Sequence, residues 1–150
     1  MIKVIRTNSD NTDFINLVKF LDADLAKRDG EDHAFYAQFN KTNKLKHTVV
    51  AYENETAVGC GALREYDQQS MEVKRMYTAP EARGKGIATK ILNELETWAA
   101  ELGYKKTVLE TGKRQPEAIE LYTKNKYNLI PNYGQYTDKE NSVCFEKEIK

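Results

Sequence analysis

Residues 83–88 read Arg-Gly-Lys-Gly-Ile-Ala and stand where a strand-like run gives way to a strongly amphipathic helix. A helix N-terminus presents unpaired N–H groups and a partial positive charge. Gly84 and Gly86 carry no Cβ, so the backbone amides from Gly84 through Lys85 and Ile87 to Ala88 can converge on one anion, and a pyrophosphate suits that cup. Arg83 and Lys85 would add positive charge at its rim. A lone Gly-x-Gly also serves an ordinary strand-to-helix turn. Two better-known phosphate motifs are excluded. No Gly-x-x-x-x-Gly-Lys-Ser/Thr occurs, and Thr89 stands where a Gly-x-Gly-x-x-Gly motif needs its third glycine.

The elements around this loop follow from periodicity. A first strand near Ile2 and Val4 precedes a helix capped at residues 9–11, with Phe14, Leu17, Val18, Leu21 and Leu25 at helical spacing. Asp29-Gly30 ends that helix, and a short second one over 31–39 carries His33, Phe35, Tyr36 and Phe39. Strands are expected at 47–52, 56–66 and 71–78, the first two joined by a hairpin turn at 53–55. Gly59 and Gly61 inside the second of these point to a bulge or a close approach by another chain segment. Residues 86–102 give the clearest amphipathic helix, with Ile87, Ala88, Ile91, Leu92, Leu95, Trp98, Ala99 and Leu102 on one face. A strand at 105–110, a helix from Pro116 to about residue 126, and strands at 127–130 and 142–148 complete the chain. The order is β-α-α-β-β-β-α-β-α-β-β. That predicts one α/β (α+β) domain over residues 1–150 with a mixed, mostly antiparallel central sheet of six to seven strands flanked by about four helices.

Composition narrows the partners. The chain has 150 residues with 23 basic and 23 acidic side chains, a formal net charge of +0. Nucleic acid is not an expected partner, because phosphate-backbone binding needs a basic excess or stripe. No apolar run is long enough to span a membrane, and the start of the chain is too short and charged for a signal peptide, so a cytoplasmic location is expected. Cys60 and Cys144 lie in apolar strand-like runs and read as buried free thiols. No Cys/His cluster has ligand spacing, and no metal is expected. The basic stretch 41–46 reads as a solvated loop.

Taken together, three segments resemble the GNAT superfamily of acyl-CoA N-acetyltransferases. Arg83-x-x-Gly86-x-Ala88 is similar to that family's Arg/Gln-x-x-Gly-x-Gly/Ala signature. The strand Glu72-Val73-Lys74-Arg75-Met76-Tyr77-Thr78 resembles the one before its loop. Ala118-Ile119-Glu120-Leu121-Tyr122, followed by Asn125-Lys126-Tyr127, resembles its Ala-x-x-Leu-Tyr-x-x-x-Gly-Phe helix end. The resemblance runs over roughly residues 48–150. Two departures stand out: Gln115 where many members have an asparagine that contacts the cofactor, and Lys126 in place of the usual glycine, a change read as harmless.

The resemblance implies acetyl-CoA as cosubstrate, held where two parallel strands splay apart, here 71–78 and 105–110. Its diphosphate would sit on Arg83, Gly84, Lys85, Gly86, Ile87, Ala88 and Thr89, and its pantetheine arm along Met76, Tyr77 and Thr78, with Gln115 nearby. An amine would attack the thioester directly. Glu72, which strand alternation puts in phase with Met76, is the preferred base, and Glu110 the second candidate. Glu72 could instead be a solvated or ion-paired strand carboxylate, with Lys74 or Arg75 as partner. The Met76 N–H would hold the oxyanion and Tyr122 the departing thiolate, unless Tyr122 is simply a core aromatic. Tyr36, Phe39, Tyr133 and Tyr136 are candidate walls for the acceptor, and Asp24, Asp29, Glu31 and Asp32 candidate partners for its charge. His33 could be base, acceptor contact or surface histidine; His47 reads as structural. The acceptor would be a small-molecule or peptide amine, and the chain a monomer or homodimer. A CoA-binding module with little catalysis, or an enzyme using a longer acyl group, remain alternatives.

Overall fold

A computed structural model describes residues 1–37 and 44–149. Phe39, the end of the second helix and most of the 40–46 loop lie outside the described residues. The elements are β1 (Ile2–Thr7), α1 (Thr12–Asp29), α2 (His33–Ala37), β2 (His47–Glu53), β3 (Thr56–Glu65), β4 (Ser70–Thr78), α3 (Ile87–Glu101), β5 (Lys106–Gly112), α4 (Pro116–Lys124), β6 (Asn128–Ile130) and β7 (Ser142–Glu148). Their order matches the one expected, with a short 3₁₀ turn, Gly30–Asp32, leading into α2. All seven strands form one sheet in the order β1-β2-β3-β4-β5-β7-β6. Every neighbouring pair is antiparallel except β4 with β5.

Helices cover both faces of this sheet. On one, Ile91, Leu92 and Leu95 of α3 are fully buried against Val49, Leu63, Met71, Val73 and Leu109, and α4 joins them through Tyr122. On the other, Phe14, Leu17 and Val18 of α1 pack on Val50, Cys60 and Ala62. Each such side chain contributes about 1.5–3 kcal/mol through burial. Asn11 caps α1, its side chain accepting a 2.9 Å hydrogen bond from the Phe14 N–H. The apolar stripe of α3 ends a residue sooner than its periodicity predicts, since Leu102 is 43% exposed.

The glycines of β3 serve close packing. A Cβ on Gly61 would stand 2.7 Å from Met76 Sδ and 2.8 Å from Ile91, and one on Gly59 2.9 Å from both Ile91 and the Tyr77 carbonyl oxygen. Opposite Gly61 the ladder slips. Cys60 pairs with Tyr77 and Ala62 with Lys74, so Arg75 and Met76 together face one residue. This is a β-bulge, with Arg75 in the left-handed region at φ 58°.

The end of α4 carries a second left-handed residue. The Lys126 N–H donates to the Thr123 carbonyl at 3.1 Å and the Tyr127 N–H to the Tyr122 carbonyl at 3.0 Å, the pair of bonds that defines a Schellman cap. The Tyr122 and Tyr127 rings meet at 5.7 Å across it. Lys126, at φ 70°, sits where glycine is favoured, so its replacement of glycine stores strain rather than being harmless. Lys126→Gly should therefore stabilise the fold by about 1 kcal/mol after the added unfolded-state entropy of glycine is subtracted. In a thermal melt that is a rise of roughly 2–4 °C.

Candidate active site

Strands β4 and β5 pair only at Ser70 with Lys106, Met71 with Thr107 and Glu72 with Val108. Beyond those residues they diverge, although β4 runs on to Thr78 and β5 to Gly112. β5 stays fully laddered to β7 on its far side, so the gap opens only toward β4. A cavity of about 390 Å³ occupies this V. One wall is the freed edge of β4, including Met76, Tyr77 and Thr78.

The loop after β4 closes one end. Arg83, Gly84, Gly86, Ile87, Ala88 and Thr89 all line the cavity. Gly84 and Gly86 adopt φ 82° and 78°, and no atom lies within 4 Å of where either Cβ would be. Glycine is needed here for backbone conformation and leaves open space in front of the amides. Gly86 is also the N-cap of α3, with no side chain capping it, so the first turn's N–H groups remain free for a ligand. Arg83 is held in place by a 2.9 Å bond from Nε to the Thr78 carbonyl, with its guanidinium 6.0 Å from the Tyr77 ring centre. Lys85 departs from expectation. Its ammonium binds both Glu53 oxygens at 3.0 Å, and it does not line the cavity.

α4 supplies the adjoining wall through Gln115, its N-cap residue, with Ala118, Leu121 and Tyr122. Only 5% of Tyr122 is exposed. Its ring packs 6.1 Å from Phe145 and, through the Schellman cap, against Tyr127. Burial, with a smaller push from the Glu110 charge, raises its hydroxyl above the ordinary tyrosine value.

The far end of the cavity gathers the ionisable groups Glu72, Lys74 and Glu110 with Asp29, Tyr36 and Tyr136. Burial pushes the Glu110 carboxyl up to about 7, opposed by the Ser142 hydroxyl and the Lys74 charge and reinforced by Asp29 and Glu72. Glu72 accepts a 2.7 Å hydrogen bond from Tyr133, and among the described residues it forms no ion pair with Lys74 or Arg75; Arg75 reaches Asp22 instead. Tyr36 shares a 2.8 Å bond with Ser142 and stacks on Tyr136. Asp29 is buried, which raises its pKa against the opposing charges of His33 and Arg114.

The bulge overturns one reading of the strand. Strict alternation puts Glu72 in phase with Met76, but the extra residue reverses that relation. Met76 packs toward α3, whereas Glu72 meets Tyr133 on the other face. Two other expectations also shift. His33 does not line the cavity, and its charge lies beside Asp29. Tyr133 does not line it either, and meets the site through its bond to Glu72 and its ring contact with Tyr136 at 5.9 Å. Of the four acids proposed for a cationic acceptor, Asp24 and Asp29 reach the cavity, and Glu31 and Asp32 do not. His47 packs on Trp98 at 4.8 Å, as a structural residue would. Both cysteines are buried and free.

Residues 14–127 match the model of the Acetyltransferase (GNAT) family. The chain belongs to the GNAT family. As a GNAT protein it is an acetyl-CoA-dependent N-acetyltransferase. It is 32% identical over 101 residues to the uncharacterized N-acetyltransferase YsnE of Bacillus subtilis, covering 66% of this chain and 67% of that one. It is 35% identical over 102 residues to the IAA acetyltransferase of Azospirillum brasilense, covering 67% of each. Among solved structures, a Klebsiella pneumoniae protein described as an acyl-CoA N-acyltransferase superposes with a TM-score of 0.84 at 28% identity, over 100% of this chain and 99% of the other. The PaiA N-acetyltransferase of Thermoplasma acidophilum, solved with coenzyme A, shares the fold with a TM-score of 0.72 at 17% identity over 99% of each chain. No helix among the described residues is long and apolar enough to cross a membrane.

What sequence reasoning missed at this GNAT site is the inward place of Lys74. No glycine marks the bulge within β4, so nothing in the residues 70–78 announces the change of phase. Gly61 across the ladder, read from the sequence as a sign of a bulge or a close approach, is the residue opposite which β4 bulges.

Proposed function

We propose that this chain acetylates the primary amine of a small molecule or peptide by direct attack on acetyl-CoA in a ternary complex, with Glu110 as the proton acceptor. The observation that carries this reading is the open V between β4 and β5, with free loop amides at one end and a carboxyl poised near neutral pH at the other. The coenzyme A complex of PaiA supports the cosubstrate, since that protein has the same fold.

In this scheme the amides from Gly84 to Ala88 hold the diphosphate, and the unpaired edge of β4 at Met76 and Thr78 takes the pantetheine amides. The amine nitrogen forms its bond to the acetyl carbon while the carbon–sulfur bond breaks. Glu110 takes the amine proton, directly or through one water. The Met76 N–H, at the bulge, stabilises the oxyanion, and the Tyr122 hydroxyl hydrogen-bonds the departing thiolate sulfur. Glu72, held by Tyr133, orients the amine.

Isothermal titration with acetyl-CoA and release of free thiol against an amine panel test the proposal. Gly86→Glu places an anion in the amide cup and a side chain at a left-handed position, and should weaken acetyl-CoA binding at least about tenfold. Unchanged affinity in that variant would refute the loop assignment.

A further inference from the structure

Lys74 has no task in the transfer just described. It projects into the cavity with only 9% of its surface exposed, between the charges of Glu72 and Glu110. Among the described residues, no hydrogen bond or ion pair reaches its ammonium. The neighbouring cation, Arg75, reaches Asp22 through Nη2 alone, and among the described residues its buried Nε and Nη1 have no hydrogen-bond partner. A buried ammonium that lacks a direct hydrogen bond is costly, and burial accordingly pulls its pKa below the ordinary lysine value while the two glutamates pull it back.

That arrangement bears on the acceptor. A simple amine arrives as a cation and must approach Glu110 beside Lys74, a like charge. A molecule that also carries a carboxylate removes the conflict: its amine faces the glutamates and its carboxylate takes the free ammonium. Glu72 and Lys74 are two residues apart on one strand, about 6.5–7 Å, so they can hold both ends of a small zwitterion. A carboxylate is met by the Lys74 ammonium, whereas a phosphate dianion would also call on the Arg75 nitrogens that lack a partner.

We propose that the acceptor is an amino acid or a close relative, and that Lys74 binds the carboxylate next to its reactive amine. This rests on the acetyl-transfer reading above. The test compares amino acids with their amides and their decarboxylated amines, with phosphoethanolamine as a further arm, in wild-type enzyme supplied with acetyl-CoA. kcat/KM should favour the carboxylates by about 10- to 100-fold, mostly through KM, as expected for one hydrogen bond to a charged group. Lys74→Met should collapse that preference to near unity, whereas Lys74→Arg should retain most of it; circular dichroism melts establish that both variants fold. The wild-type comparison stands even if neither does. Equal rates for acids and amides, a preference that survives in Lys74→Met, or a preference for phosphoethanolamine would each overturn the proposal. Acetyl-CoA calorimetry run alongside separates the two levels. Turnover of amines that lack a carboxylate, with no acid preference, sinks the carboxylate site alone, and failure to bind acetyl-CoA sinks the transfer reading with it.

Discussion

Glu110→Gln should lower kcat/KM by about 10²- to 10⁴-fold at neutral pH, the range expected for loss of a general base. In the wild-type enzyme kcat/KM should rise with pH through an apparent pKa near 7, because the carboxyl must be ionised to accept the proton. The variant should lose that limb and keep only the one set by the amine. The groups facing Glu110 fix the position of the limb. Lys74 and Ser142 hold it down, Asp29 and Glu72 lift it, and burial dominates them all. Lys74→Met should therefore move the limb upward. Glu72→Gln should have a smaller effect on rate than Glu110→Gln and should shift the limb downward. A full loss in Glu72→Gln, with Glu110→Gln near wild type, would exchange the two roles.

The same carboxyl predicts a stability signature. Its folded pKa lies above its ordinary value of 4.5, so the folded state binds the extra proton between about 4.5 and 7. Stability is then lost as pH rises through that window, and the loss is complete above it. Glu110→Gln removes the charge that causes it. Its thermal midpoint should exceed that of the wild type at pH 8, and the gain should shrink toward pH 4.5. A residue that served only packing would show no such dependence. An active-site group that lowers stability at working pH is a common trade.

The loop at the cavity mouth was legible because its physics is local. Gly84 and Gly86 are glycines for their own dihedral angles, and the amphipathic pattern from Ile87 places the helix start beside them. The order of elements along the chain was legible for similar reasons, since alternation marks the strands and helical spacing the helices. What escaped depends on partners distant in sequence. Lys85 is drawn from the rim by Glu53 on β2, a contact that no local pattern announces. The bulge arises from the ladder with β3, and with it the opposite faces taken by Glu72 and Met76. Alternation assumes an unbroken pleat, so one inserted residue reverses every inference made across it. The ranking of the two glutamates changed for the same kind of reason. In the proposed mechanism Glu110 takes the base role because the assembled cavity pushes its carboxyl up to about 7, which no local pattern announces.

Tyr122→Phe should lower kcat by about 10²-fold, the low end for loss of an acid or donor at the reacting centre, while acetyl-CoA affinity stays within about twofold of wild type. The effect belongs to kcat because a thiolate exists only as the carbon–sulfur bond breaks, so the hydroxyl has little to hold in the ground state. Burial raises the Tyr122 pKa, which keeps the phenol protonated throughout the working range and makes it a hydrogen-bond donor more than a full proton donor. The loss should accordingly be independent of pH, in contrast to that of Glu110→Gln. Folding should be almost untouched. The ring that packs on Tyr127 and Phe145 remains, and the Schellman cap beneath it is made by backbone. Steady-state kinetics with a saturating amine, acetyl-CoA calorimetry and a thermal melt together read all three consequences. A variant with wild-type kcat and an unchanged melt would make Tyr122 a wall of the cavity and leave the thiolate to solvent.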